Sequence, residues 1–217
     1  YESSVELVYN GIEGKAEDTS FGEAFYRGEE ISWLDLANDC DLKLFNNYEK
    51  KRDILLTVIE EDSPRVKSLK LIHGAGTGGT TLSKRFLWDL KGSVPCMRLK
   101  QYTKDTANIL LEIGRKTGKR VFLTIEMGST ILNGDDLASL LAEINEKNGK
   151  LMVLQVERNS EKGTGKNEKD EEKPFIKIQD TLQDGIAREF SRRFRNMTND
   201  DARKQMLRNI TEGNTKE

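Results

Sequence analysis

One histidine, two cysteines and three prolines are all that the 217 residues hold of those types, and each shortage removes a class of explanation. The cysteines, Cys40 and Cys96, fit neither a metal-ligand spacing nor a disulfide framework, so they read as small buried hydrophobes of a reducing cytosol. The histidine, His73, has no acid or nucleophile beside it in sequence, and a structural role is the expectation. No apolar run approaches the roughly 20 residues a membrane span needs, and no signal peptide is visible. A cytoplasmic protein without membrane contact follows. Charge of one sign is also lacking: 35 Lys and Arg stand against 37 Asp and Glu, for a net charge of −2. There is no overall basic field to drive nucleic-acid binding. No internal repeat is apparent, and the start at Tyr1 instead of methionine predicts a piece of something larger.

What is present is a lean apolar fraction, 35%, inside a shell with 33% charged residues. The core must lie in a few concentrated runs. Residues 1–46 read as an entry region: 1–24 are acidic and weakly periodic, followed by Phe25-Tyr-Arg-Gly28 and Ile31-Ser-Trp-Leu34. From about Asn47 a helix is predicted, with Ile54, Leu55, Val58 and Ile59 on one face, stopping before Ser63-Pro64. Strand and helix patterns then alternate: strands over 66–72, 94–99, 121–125 and 151–156, helices over 81–90, 103–117 and 134–148. Helices of this length between strands signal βαβ units and a parallel sheet, and unbroken apolar strands say both sheet faces are covered. The expected fold is α/β, a three-layer P-loop NTPase-like core with a mostly parallel sheet, spanning 47–210. Residues 159–174 contain no apolar side chain and predict a mobile charged loop. Phe175–Ile178 suits a last strand, 184–197 and 200–210 are charged amphipathic helices, and 211–217 is a tail.

The chemistry concentrates in His73-Gly-Ala-Gly-Thr-Gly-Gly-Thr-Thr-Leu82. A phosphate loop needs a strand, a tight glycine-rich turn and an immediate helix, because the glycines let backbone N–H groups face the phosphate and the helix start adds a positive dipole end. Gly74, Ala75, Gly76, Thr77, Gly78 and Gly79 make the turn, and Thr80, Thr81 and Leu82 open the helix. The usual lysine is missing. Aligned on Thr-Thr-Leu, Gly79 takes the lysine position, Thr80 supplies the hydroxyl for Mg²⁺, and His73 replaces the first glycine. Keeping the glycine spacing instead puts Gly74 first, Thr80 at the lysine and Thr81 on the metal. The first register is preferred. Lys84 and Arg85 lie one turn along the helix and point away. Binding by amides and dipole can survive the loss of the lysine, whereas fast phosphoryl transfer needs its charge.

Two further residues belong to this reading. Val121-Phe-Leu-Thr-Ile-Glu126 places a carboxylate at the end of the next-but-one strand, where it would meet Mg²⁺ or the attacking water. Gln155-Val-Glu-Arg158 places a cation at the tip of the following strand, beside the γ-phosphate. Glu126 and Arg158 are therefore the catalytic candidates, and Thr80 and Glu126 the metal candidates.

Arg52-Asp53, upstream of the loop and at the start of the preceding helix, completes a pattern that resembles the STAND class of signal-transduction NTPases. There a Gly-Arg-Glu-like element contacts the nucleotide; here Lys51 replaces the glycine and Asp53 the glutamate. Phe25-Tyr-Arg-Gly28, Ser32-Trp33, Gly-Gly-Thr-Thr-Leu82 and Phe86-Leu-Trp-Asp-Leu90 resemble, over roughly residues 25–210, the NTPase region of the sterile-alpha-motif-containing antiviral factors and their bacterial defence relatives. The resemblance implies a regulatory module that binds ATP or ADP with Mg²⁺ and controls an oligomer of a larger multidomain chain, and the missing lysine recurs in that group.

Four functions compete. They are a nucleotide switch with slow or absent hydrolysis, a phosphoryl-transfer enzyme with real turnover, a pseudo-NTPase serving as an interaction or oligomerisation scaffold, and nucleic-acid contact through Arg188, Arg192, Arg193, Arg195 and Lys204. The missing lysine argues against the enzyme, and acids among the basic residues favour a solvated helix face over nucleic acid. The switch is the leading expectation and the scaffold its alternative.

Overall fold

The computed structural model describes residues 4–12, 22–41, 48–62, 65–74, 76–127, 132–158, 175–177 and 192. The charged stretch 159–174, the tail and most of the two C-terminal helices predicted from sequence lie outside these residues. Arg192 is helical and exposed.

Six strands form one sheet in the order β1-β3-β4-β5-β2-β6. They are β1 (Val5–Val8), β2 (Val66–His73), β3 (Cys96–Leu99), β4 (Val121–Glu126), β5 (Leu151–Arg158) and β6 (Phe175–Lys177). Only β1 runs antiparallel, pairing Val5 with Leu99 and Val8 with Cys96. The other neighbours are parallel, as expected where helices of 12 or 13 residues make the crossovers. These helices are α4 (Gly79–Leu90), α5 (Thr106–Thr117) and α6 (Gly134–Glu146), preceded by α3 (Tyr48–Glu60).

Strand alternation sorts the helices into layers. Val5, Met97, Leu99, Val121, Leu123, Ile125, Leu151 and Val153 form one buried cluster with Ile109, Leu110 and Leu111 of α5 and Leu137, Leu140 and Ile144 of α6. Side chains one residue out of phase point to the other face. There Leu69, Leu71, Phe122, Met152 and Leu154 are buried, and α4 supplies Leu82, Phe86, Leu87 and Leu90. On that same face Arg120 and Lys67 reach the end of α3. The result is the expected three-layer α/β core. The first turn of α6 shows why its start is legible in sequence: the Asn133 side chain accepts from the Asp136 amide, with Asp135 and Asp136 at the positive end of the helix.

Departures from expectation have local causes. Val5–Val8 falls within the expected entry region but hydrogen-bonds to β3. Residues 4–10 accordingly group with the sheet, while 11–12 and 22–41 belong to a second compact unit. Within the second unit lie two short helices, α1 (Glu23–Tyr26) and α2 (Trp33–Ala37). Ser32 and Asp35 form a reciprocal capping box on α2, Asp35 also accepts from the Gly22 amide at 2.5 Å, and the Tyr26 hydroxyl donates to the Cys40 carbonyl at 2.7 Å. In the sheet-bearing unit, α5 begins at Thr106 instead of Thr103, because the Thr103 amide donates to the Thr106 hydroxyl in a turn ahead of the helix.

Cys96 is buried at the start of β3. Desolvation pushes its thiol up to about 12, against a smaller opposing pull from Lys91. The thiolate is the reactive species. Iodoacetamide at pH 8 is therefore expected to leave Cys96 unmodified in the folded chain and to alkylate it in urea, as read by mass spectrometry. Rapid native labelling would show that β3 opens readily.

Candidate nucleotide-phosphate site

The core of β2 is buried at Leu69 and Leu71, and the strand ends at His73, where the chain turns into the glycine loop. Gly76 and Gly78 adopt φ of +71° and +85°, a left-handed conformation that suits glycine best. The turn is held from within: the Thr77 hydroxyl donates to the Gly74 carbonyl at 3.0 Å. Helix α4 starts at once, with Gly78 as its N-cap and no side-chain hydrogen bond capping it. Its first amides have no partner within the helix, and the first turn contains no acidic residue to neutralise the dipole. Leu82 is fully buried and anchors the first turn, its amide bonded to the Gly78 carbonyl at 2.8 Å. Gly79 is buried, while Thr80 and Thr81 are half-buried. Ala75 lies outside the described residues.

His73 occupies the volume in front of Gly79. A Cβ built on Gly79 would collide with Cδ2, Cγ and Nε2 of the imidazole, and the ring's Nδ1 lies 2.8 Å from the Gly74 carbonyl. Only glycine fits at the position assigned to the missing lysine. The reason is a neighbour six residues back along the chain.

The other candidates follow from register. His73 is level with Arg158 on β5, so both project on the α4 side of the sheet, and Arg158 is exposed. Val156 is level with both Leu71 and Glu126, which puts Glu126 on the same face, two interstrand spacings or about 10 Å from Leu71. Glu126 is held by Arg98 of β3, whose Nη2 lies 3.0 Å from its Oε1, with side chains 29% and 18% exposed respectively. Sequence reasoning missed Arg98. The signal was an arginine between Met97 and Leu99, both buried, in a strand otherwise read as apolar. His73, Arg98, Glu126 and Arg158 thus share one face at the carboxyl ends of parallel strands, the edge where open α/β sheets take ligands.

Arg52 and Asp53 are placed differently. Arg52 pairs with Glu49 at 2.6 Å and with Asp53 at 3.1 Å, so the polar partners of this pair are on α3 itself. One turn earlier, Tyr48 stacks on Phe86 with ring centroids 5.5 Å apart and donates to Asp89 at 2.6 Å. Burial first, then Asp89, raise the Tyr48 phenol far above its ordinary value, so it stays a neutral donor. Phe86 lies roughly 10 Å along α4 from Gly79; α3 meets α4 below the loop, and no described contact brings Arg52 to it. The Arg52 Nε is nonetheless buried without an acceptor among the described residues. Lys84 and Arg85 are buried, and Arg85 pairs down the helix with Asp89 at 3.4 Å, away from the loop.

Chemically, the loop can bind an anion through backbone amides, with the half-buried Thr80 hydroxyl in the first turn of α4 beside them. Among the described residues no group of three or more His, Cys, Asp or Glu could hold a metal alone. No described helix is long and apolar enough to cross a membrane.

No family model matches the chain. Human sterile alpha motif domain-containing protein 9-like is 36% identical over 97 residues, covering 42% of this chain and 6% of that protein. The mouse protein of the same name is 38% identical over 108 residues, 45% of this chain and 6% of that one. Human sterile alpha motif domain-containing protein 9 is 31% identical over 93 residues, 40% of this chain and again 6% of the relative. Among solved structures, C. elegans PCH-2 is similar with a TM-score of 0.44 and 13% identity, over 67% of this chain and 46% of that one. A chain of the E. coli MS115-1 HORMA:CdnC:Trip13 complex gives 0.41 and 11%, over 69% and 68%. This chain is thus similar in sequence, over less than half its length, to about 6% of the curated relatives it matches.

Proposed function

We propose that this chain is a nucleotide-binding switch module of a larger signalling or antiviral-defence protein. It takes ATP or ADP with Mg²⁺ and hydrolyses slowly or not at all. The observation that carries the reading is the passage from β2 through two left-handed glycines into the uncapped start of α4. In this reading the amides from Gly74 to Thr81 cradle the phosphates, Thr80 and Glu126 share Mg²⁺ with them, and Arg158 senses the γ-phosphate. Without a lysine the arrangement favours holding a nucleotide over cleaving it. The similarity to a small part of much longer proteins supports a module of a longer chain; that its nucleotide state governs a homo-oligomer is what the resemblance to the STAND class implies. The scaffold alternative draws on one observation, the imidazole packed onto Gly79.

Calorimetric titration with ATP and ADP, with and without Mg²⁺, tests the proposal. Thr80→Ala is expected to weaken Mg-ATP about tenfold, or about 1.4 kcal/mol, and to matter little without the metal. Glu126→Gln should keep affinity within about threefold and abolish whatever turnover the parent chain shows. Absence of binding at millimolar nucleotide, in a chain with an intact circular dichroism spectrum, would establish the scaffold reading instead.

A further inference from the structure

The one histidine of the chain stands where the loop's one missing charge is needed. The Gly74 carbonyl can only accept, so the Nδ1 that lies 2.8 Å from it carries the proton of that bond. Nε2 is then the open nitrogen, and it lies where a Cβ on Gly79, the first residue of α4, would stand. A neutral ring presents a lone pair there. A protonated ring presents a second N–H donor and a full positive charge, with the Gly74 bond undisturbed.

We infer that His73 is the phosphate-facing cation of this loop, moved from the helix to the strand end, and that it makes nucleotide affinity depend on pH. The inference rests on the nucleotide reading above and specifies how that site is regulated. The exchange is reciprocal: the imidazole fills the path a Gly79 side chain would take, so the loop can carry its cation at position 73 or at position 79, not at both. Among the described residues the charges on this side of the sheet are these. From β5 comes Arg158, level with His73. On the same face Glu126 of β4 is paired with Arg98 of β3. The first turn of α4 has no acidic residue, and Lys84, one turn on, is buried. A phosphate brings negative charge to Nε2, and an imidazolium holds it more tightly than an imidazole does.

Calorimetry with Mg-ATP at pH 6.0 and 8.0 decides the matter. The parent chain is expected to bind about tenfold more tightly at pH 6.0, as linkage requires of a group that gains a proton in the complex. His73→Gln should lose that difference, leaving only the ligand's own titration. Gly79→Lys alone should bind poorly, because its Cβ meets the ring. His73→Gly combined with Gly79→Lys should bind without pH dependence and at least as tightly as the parent at pH 8.0. Circular dichroism melts confirm that each variant is folded. If the parent and His73→Gln bind with the same pH profile, the assignment to His73 fails while the nucleotide reading stands. If the double variant binds and the parent does not at either pH, the ring is a plug and the inference is overturned. If nothing binds, the nucleotide reading itself is lost, and the inference with it.

Discussion

Replacing Arg120 with methionine is expected to lower the stability of the sheet-bearing unit by roughly 3 kcal/mol, the sum of one buried and two part-buried carbonyls each losing its donor. Arg120 precedes β4 and is 5% exposed. Its Nε donates to the Ile59 carbonyl at 3.0 Å, Nη2 to that of Glu61 at 2.8 Å, and Nη1 to that of Arg65. Longer contacts reach Leu151 and Asp62, both at 3.4 Å. One guanidinium therefore ties the last carbonyls of α3 to the entries of β2 and β5. Burial lowers its pKa and the nearby Asp62 and Glu61 oppose that, but an arginine stays charged throughout the working range. Helix C-termini carry the negative dipole end, so the cation is well placed. Lys67 assists, its Nζ donating to the Val58 carbonyl at 2.8 Å.

Methionine keeps the apolar stem and removes the fork, so the loss reads the polar head alone. Some recovery comes from ending the desolvation of a buried charge, so only the three shorter bonds are counted. Lysine at this position should restore less than half, since three donors on one nitrogen cannot span carbonyls that a planar fork reaches. Urea unfolding gives the answer, with an unchanged m-value as the sign that only stability moved. A loss within about 0.5 kcal/mol, the range of an ordinary surface substitution, would mean that water replaces the guanidinium freely and that the clamp is ornamental.

Arg120 also marks the limit of what the sequence can say. It stands before the most strand-like run of the chain and looks like a surface cation opening a strand. Its acceptors are 31 to 61 residues away, a separation to which no periodicity refers. The strands themselves were legible because β2 to β5 are covered on both faces and read as apolar runs. The edge strand β1 was not: Val5-Glu-Leu-Val8 is four residues long with an acid inside it, too short for any period to show. At the site, the loop and Glu126 were legible because glycine spacing and a strand-terminal acid are local patterns. Arg98 was hidden, since its value depends on β3 lying beside β4. The relation of His73 to Gly79 was hidden for a different reason. Both residues were in view, but only the fold of the turn brings ring and backbone together.

Substituting valine for Gly78 is expected to weaken Mg-ATP binding more than 100-fold, about 2.8 kcal/mol, with the sheet left intact. Gly78 sits at φ +85° and ψ +27° as the N-cap of α4. A residue with a Cβ pays roughly 1–2 kcal/mol to hold that left-handed geometry, and a β-branched one is a genuine outlier there. The turn therefore relaxes to negative φ, and rotating φ at this position re-aims the loop relative to the amides of Gly79 and Thr80. Those amides are the proposed cradle; once they diverge, the phosphate loses its donors together. Asparagine is the control, because it tolerates the left-handed region and should keep binding within about tenfold. The pair separates backbone direction from side-chain bulk, since both variants add atoms but only one turns the chain. If Gly78→Val binds nucleotide as well as the parent does, the anion is held by side chains elsewhere on the strand ends, with Arg158 the first to examine.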